Sequence, residues 1–137
     1  MTLYMLDTSI ASAIIAGRVN LDEKLHALDT AQWCISVVTR AELLFGVLHK
    51  PGATKLARLV DGFLQVARTE TFNEAAADQF ARLRAELERQ GTGIGMADEM
   101  IAAHALSLSA RVVTDNTRHF NRVPGLGVEN WLRASHP

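Results

Sequence analysis

The chain has one cysteine, Cys34, so no disulfide can form within it. One thiol cannot supply a thiolate set for zinc either. The lack of cysteine suits a reducing compartment, and a cytoplasmic location is expected. There is no excess of basic charge: 14 Lys+Arg stand against 15 Asp+Glu, a formal net charge of −1. A globally basic surface built for nucleic acid is therefore absent. If several acids share one pocket, however, the remaining surface is more basic than the total suggests. Aromatic residues are few, with two Trp, one Tyr and five Phe, so no base-stacking platform is visible. No apolar run approaches the roughly 18 residues that a membrane span needs. Nor is there a basic segment followed by a long apolar one at the start, so no secretory signal is expected. The histidines His26, His49, His104, His119 and His136 show no zinc spacing. The glycine-rich GTGIG at 91–95 lacks the Gly-Lys-Ser/Thr ending of a phosphate cradle and follows a helix rather than a strand. No Gly-x-Ser-x-Gly nucleophile elbow is present.

What remains is an ordinary globular composition, 48% hydrophobic and 21% charged over 137 residues. That length predicts one domain spanning 1–137, large enough to bury a core without staples. Strands are predicted over 2–6, 33–37 and 111–114, a weaker one over 66–72 and a short one over 127–129. Helices are predicted over 8–16, 21–28, 53–64, 73–90 and 96–109, with another across TRAELLFGVL. In that last segment Ala41, Leu44, Phe45 and Leu48 recur at helical spacing and read as its inward stripe. In 73–90 the stripe is Ala76, Phe80, Leu83 and Leu87, and Gly91 ends the helix. His104 reads as a helix-surface or interface residue. Alternating strands and helices predict an α/β fold with a parallel sheet covered on both faces. Ligands of such sheets collect beyond the carboxyl ends of the strands. Asp7 directly follows the first strand, and Asp115 and Asn116 follow RVVT.

Each candidate acid has a second reading. Asp7 is equally suited to cap the helix that follows it. Thr39 and Glu42 fit a capping box, although Glu42 also borders the apolar stripe. Asp98 shares a helix face with Ile101, Ala102, Ala105 and Leu108, where an unpaired carboxylate would cost several kcal/mol. Its place near the helix start relieves only roughly 0.3–1 kcal/mol of that cost. Asp115-Asn116, taken alone, reads first as a turn. If Asp7, Glu42 and Asp98 converge, two carboxylates about 4 Å apart repel by roughly 4 kcal/mol at an effective dielectric of 20. A hard divalent ion, Mg²⁺ or Mn²⁺, would compensate them. It would also supply phosphodiester hydrolysis without cysteine or histidine.

YMLDTSI, VVTRAELLFG and GMADEMIAAHALSLSARVVTDNTRHFNRVPGLGVENW together resemble the PIN-domain ribonucleases of the VapC toxin type, over nearly the whole chain. The resemblance implies a PIN-like three-layer α/β/α sandwich with a parallel sheet of about five strands. It implies a Mg²⁺- or Mn²⁺-dependent endoribonuclease, usually a homodimer, held inactive by a cognate antitoxin. RNA is the implied substrate, structured RNA such as tRNA included. By motif, Asp7, Glu42 and Asp98 match the family's metal-holding acids. Asn116 stands where many members have a fourth acid; its amide oxygen still suits a metal or a metal-bound water, and Asp115 beside it offers a substitute. Thr8, Ser9 and Thr114 look like hydroxyls that orient the acids, Ser9 standing where the family often has Asn. Arg118, His119 and Arg122, which cluster near Arg111 late in the chain, are candidate phosphate contacts.

Three other functions share parts of this pattern. A phosphoacceptor receiver would carry a lysine after a late strand, and residues 111–122 contain none. A phosphohydrolase using Asp7 as nucleophile would repeat an aspartate where Ser9 stands. A binding module could keep the fold and lose catalysis, and Mn²⁺ titration would distinguish it.

Overall fold

The computed structural model describes residues 1–18 and 21–132; His136 lies outside them. Five short strands form one sheet: β1 (Tyr4–Leu6), β2 (Trp33–Ser36), β3 (Thr69–Glu70), β4 (Arg111–Val113) and β5 (Val128–Glu129). Their order is β3-β2-β1-β4-β5, and every neighbouring pair is parallel. The central strand β1 pairs on both sides, with Leu6 opposite Ile35 and Val113. A parallel strand buried on both faces is apolar throughout rather than alternating. That is why YML, WCIS and RVV read as continuous runs.

Seven α-helices, with a 3₁₀ turn at Thr30–Gln32, complete the described chain: α1 (Thr8–Ile15), α2 (Leu21–His26), α3 (Val37–Leu48), α4 (Thr54–Val66), α5 (Glu74–Gln90), α6 (Met96–Ser107) and α7 (Thr117–Phe120). Strand pleating divides the core between them. Met5, Cys34 and Val112 point to one face and pack with Leu83 and Leu87 of α5 and Ile101, Ala102 and Ala105 of α6. Leu6, Trp33, Ile35 and Val113 point to the other and pack with Ile10 and Ala13 of α1, Leu21 of α2 and Phe63 of α4. The expected three-layer α/β/α arrangement is therefore present.

Helix α5 follows its sequence signals. Asn73 accepts a hydrogen bond from the Ala76 amide at 3.1 Å as N-cap, and Gly91 closes the helix at φ 68°. Helix α3 departs from them in two ways. It starts at Val37, directly after β2, with Ser36 as cap accepting from the Val38 amide at 3.0 Å. The expected Thr39/Glu42 capping box is therefore absent, Thr39 lies fully buried within the first turn, and Glu42 is released from any capping duty. The β-branched pair Val37-Val38 favours strand locally, but the serine cap lets the chain turn at once. The predicted inward stripe also faces outward: Phe45 is 65% and Leu48 83% exposed, while Thr39 and Leu43 are the buried residues. Periodicity identifies an apolar face, but the chain's own packing decides which face is covered. Likewise α4 continues to Val66, leaving only Thr69–Glu70 of the expected 66–72 strand.

Candidate active site

The chain starts on β1, moves outward to β2 and β3, then returns to the other side of β1 for β4 and β5. This reversal between β1 and β4 is where an open parallel sheet leaves a crevice beyond its carboxyl edge. Asp7 sits at that edge, with its amide donating to the Val113 carbonyl at 2.9 Å.

The Asp7 side chain has both roles that the sequence allowed. Oδ1 caps α1 by accepting from the Ile10 amide at 3.0 Å, and it also takes the Ser9 hydroxyl at 2.6 Å. Oδ2 takes the Thr114 hydroxyl at 2.6 Å. The same hydroxyls accept from the following turn: Ser9 Oγ from the Asp115 amide at 3.1 Å, and Thr114 Oγ1 from the Asn116 amide at 2.8 Å. The ends of β1 and β4 are thereby tied together through Asp7. Its carboxyl is nevertheless pushed up from the ordinary aspartate range, because burial outweighs the hydrogen bonds that favour the charged form.

Asp98 lies in the first turn of α6 with its side chain 30% exposed. Its carboxyl is also pushed up, first by burial and then by the negative charges of Asp7 and Glu42, with His119 opposing. Glu42 reaches the group from α3, where the Thr8 hydroxyl donates to its Oε1 at 2.5 Å. Thr8 in turn lies 3.2 Å from the buried Thr39 hydroxyl. Three acids from distant segments thus share one electrostatic neighbourhood. Among the described residues, no three of His, Cys, Asp and Glu stand at the spacing of a direct cage around an ion. The donors are all hard oxygens, and two of the acids hold their charge at a penalty. That chemistry fits a partly hydrated Mg²⁺ or Mn²⁺, which keeps several waters and takes only one or two carboxylates directly.

The other expected residues fall in different places. Asn116 directs its side-chain amide to His119 Nδ1 at 2.8 Å, and the same ring nitrogen lies 3.7 Å from Asp98 Oδ2. His119 is therefore turned into the acid group. Asp115 is exposed and accepts from Asn130 at 3.1 Å. Arg118 is exposed on α7. Arg122 donates to the Gly93 carbonyl at 3.2 Å. Arg111 starts β4, at the strand end away from the acids, and pairs with Glu129 at 2.7 Å.

Two buried polar residues were not anticipated. His104 is 1% exposed, not on the surface, and its Nδ1 lies 2.8 Å from Ser36 Oγ. Burial lowers its pKa. Ser36 Oγ, which also accepts from the Val38 amide, shares this hydrogen bond with the ring in the direction that the tautomer sets. Glu99 is 3% exposed and pairs with Arg84 at 3.1 Å. The run IAAHA was the available signal. With apolar or small residues on every side, the run 101–105 of α6 is enclosed, and a polar group there needs a partner.

Residues 4–126 match the family model of the PIN domain. The tRNA(fMet)-specific endonuclease VapC of Shigella flexneri is 37% identical over 131 residues, covering 96% of this chain and 99% of the relative. The crystal structure of DNA-bound VapBC from Salmonella typhimurium superposes with a TM-score of 0.88 at 35% identity, covering 96% of this chain and 99% of that one. VapBC-5 from Mycobacterium tuberculosis, described as a member of the VapBC family of toxin–antitoxin systems, gives 0.72 at 29% identity over 95% and 99% of the two chains. The fold, the crevice at its β1/β4 reversal and these likenesses agree: the chain belongs to the PIN-domain family, among its VapC-type ribonucleases.

Proposed function

We propose that this protein is the endoribonuclease toxin of a toxin–antitoxin pair, hydrolysing RNA phosphodiester bonds with Mg²⁺ or Mn²⁺ and thereby inhibiting translation and growth. The observation that carries this reading is that Asp7, Glu42 and Asp98, from distant segments, share one electrostatic neighbourhood: the Asp98 carboxyl is raised first by burial and then by the charges of the other two. Asp7 and Asp98 would hold the ion, with Glu42 and the neutral amide of Asn116 completing its surroundings. The bound ion would activate a water and stabilise the leaving oxygen. The chain's own groups do the remaining work. Ser9, Thr114 and the Ile10 amide hold Asp7 in one orientation, and Thr8 does the same for Glu42. His119 stands 3.7 Å from Asp98, and with the exposed Arg118 on the same short helix it is assigned to a substrate phosphate. A relative named for tRNA(fMet) makes tRNA the first substrate to test.

The antitoxin is assigned to a groove of about 200 Å³ between α1, α3 and α4. Its walls include Ile15, Leu43, Leu59 and Val60, and Glu42 stands at its rim. An apolar segment of the partner would fill it and bring a cation to the acids. No helix among the described residues is long and apolar enough to cross a membrane, and a cytoplasmic site of action fits the RNA substrate.

The test is purified protein incubated with tRNA and with unstructured RNA. Cleavage is expected with Mg²⁺ or Mn²⁺ and none in excess EDTA. Undiminished cleavage in EDTA would overturn the metal-dependent mechanism. Intact RNA under every metal condition would favour an inert binding module.

A further inference from the structure

Glu99 stands beside Asp98 on α6 but takes no part in the function proposed above. At 3% exposure its carboxylate requires partners, and its two oxygens have different ones. Oε1 accepts from Arg84 Nη1 of α5 at 3.1 Å. Oε2 accepts from the Ile94 amide at 3.1 Å. Ile94 belongs to GTGIG, the segment whose glycines cradle no phosphate. A side chain at Gly93 would begin 3.4 Å from Glu99 Oε2, in ordinary contact with it, so the carboxylate lies directly against this backbone. On the adjacent residue, Arg122 holds the Gly93 carbonyl at 3.2 Å. Two successive backbone groups of the loop are thus gripped by side chains from α6 and from the end of α7.

This grip matters because α6 has no side-chain cap of its own. Its N-cap is Gly95, at φ 95°, which has no side chain to offer. The placement of its first turn therefore depends on the loop before it, and Asp98 lies in that turn. An ion pair serving stability alone can usually be replaced by apolar residues without loss. Here the second carboxylate oxygen is committed to the backbone that leads into the acid site.

We propose that Glu99, anchored by Arg84, is a positioning residue: it fixes the 91–95 loop and so sets where Asp98 presents its carboxylate. The proposal rests on Asp98 being a metal-holding acid. Metal sites depend on such supporting contacts, whose loss typically lowers affinity or activity by about 10–100-fold.

The experiment compares wild type, Glu99→Ala, Glu99→Gln and the double variant Arg84→Met/Glu99→Gln. Each is assayed below its own melting temperature for Mn²⁺ affinity by calorimetry, RNA cleavage and amide exchange at residues 93–98. Glu99→Ala is expected to weaken Mn²⁺ binding about tenfold and to lower kcat with KM little changed. It should also speed exchange at Ile94. Glu99→Gln keeps an oxygen for the Ile94 amide and should recover most of the affinity, as should the double variant if Glu99→Ala fails to fold. A lowered Tm with wild-type Mn²⁺ affinity, kcat and Ile94 exchange would reduce the pair to a structural one and overturn the proposal. Equal losses in the Ala and Gln variants would also overturn it, because the amide bond would then be irrelevant. If wild type itself binds no Mn²⁺, the metal reading fails, and Ile94 exchange alone decides whether the clamp exists.

Discussion

Asp7 and Asp98 face the same crevice but are held by opposite means. Asp7 is buried and hydrogen-bonded on both oxygens: two hydroxyls and a backbone amide donate to it, and it caps a helix, with acceptor capacity left for an ion. Asp98 is partly open, and the causes that set its carboxyl pKa are burial, two neighbouring negative charges and His119. Both carboxyls are pushed up, one chiefly by lost solvation and the other by lost solvation plus repulsion. Asp7 is therefore part of the frame of the fold. Asp98 is a group that the fold tolerates and a cation would relieve.

The comparison is sharpened most by deleting each acid in turn. Asp7→Ala should abolish cleavage and also lower Tm. Removing the carboxylate relieves its desolvation, but a lost N-cap costs about 0.5–2 kcal/mol. Each buried donor left unpaired costs a further 1–3 kcal/mol or so, and the loss dominates. Asp98→Ala should abolish cleavage equally while leaving Tm unchanged or raised, because no backbone group loses a partner. A larger thermal loss for Asp98→Ala than for Asp7→Ala would reverse the distinction. Circular dichroism melts beside an RNA cleavage assay would show it.

A smaller effect is expected from Thr114→Val. It removes one donor from Asp7 and the acceptor of the Asn116 amide, at about 1–2 kcal/mol. Urea unfolding would read it, and no loss would mean that the strand-end tie is dispensable.

The smallest effect carries the sign of the repulsion. In metal-free protein at neutral pH, Asp98→Asn should raise Tm by on the order of a few °C. An acid whose folded-state pKa is raised destabilises the fold above that pKa. The penalty fades as pH falls through the raised value towards the ordinary 3.8, where both states are protonated. The advantage of Asp98→Asn should thus be largest near neutrality and shrink on acidification. Saturating Mn²⁺ should cancel it by stabilising wild type alone. An advantage that persisted at low pH or in Mn²⁺ would have another cause.

Much of this site was legible because its signals are local. An apolar strand running straight into Asp7 already suggested an acid at a sheet edge, and RVVT followed by Asp115-Asn116 suggested its neighbour. Glu42 was ambiguous until the serine cap moved the start of α3 and removed its structural alternative. The outward stripe of α3 was misassigned because Leu43 and Phe45 are equally apolar, and only the layers packed on α3 separate them. His104 and Glu99 were missed because a polar letter alone states nothing about depth, and the signal lay in the apolar residues around them on α6.

The sequence by itself determined the alternation of strands and helices, the parallel sheet, the glycine that ends α5 and the positions of the acids along the chain. These follow from backbone preference and periodicity, which act over a few residues. Only the tertiary structure decided that Asp7, Glu42 and Asp98 share one electrostatic neighbourhood, that Glu99 and His104 are enclosed, and that Phe45 and Leu48 are not. Burial and electrostatic coupling depend on what lies alongside in space, and a short window of sequence holds no record of that.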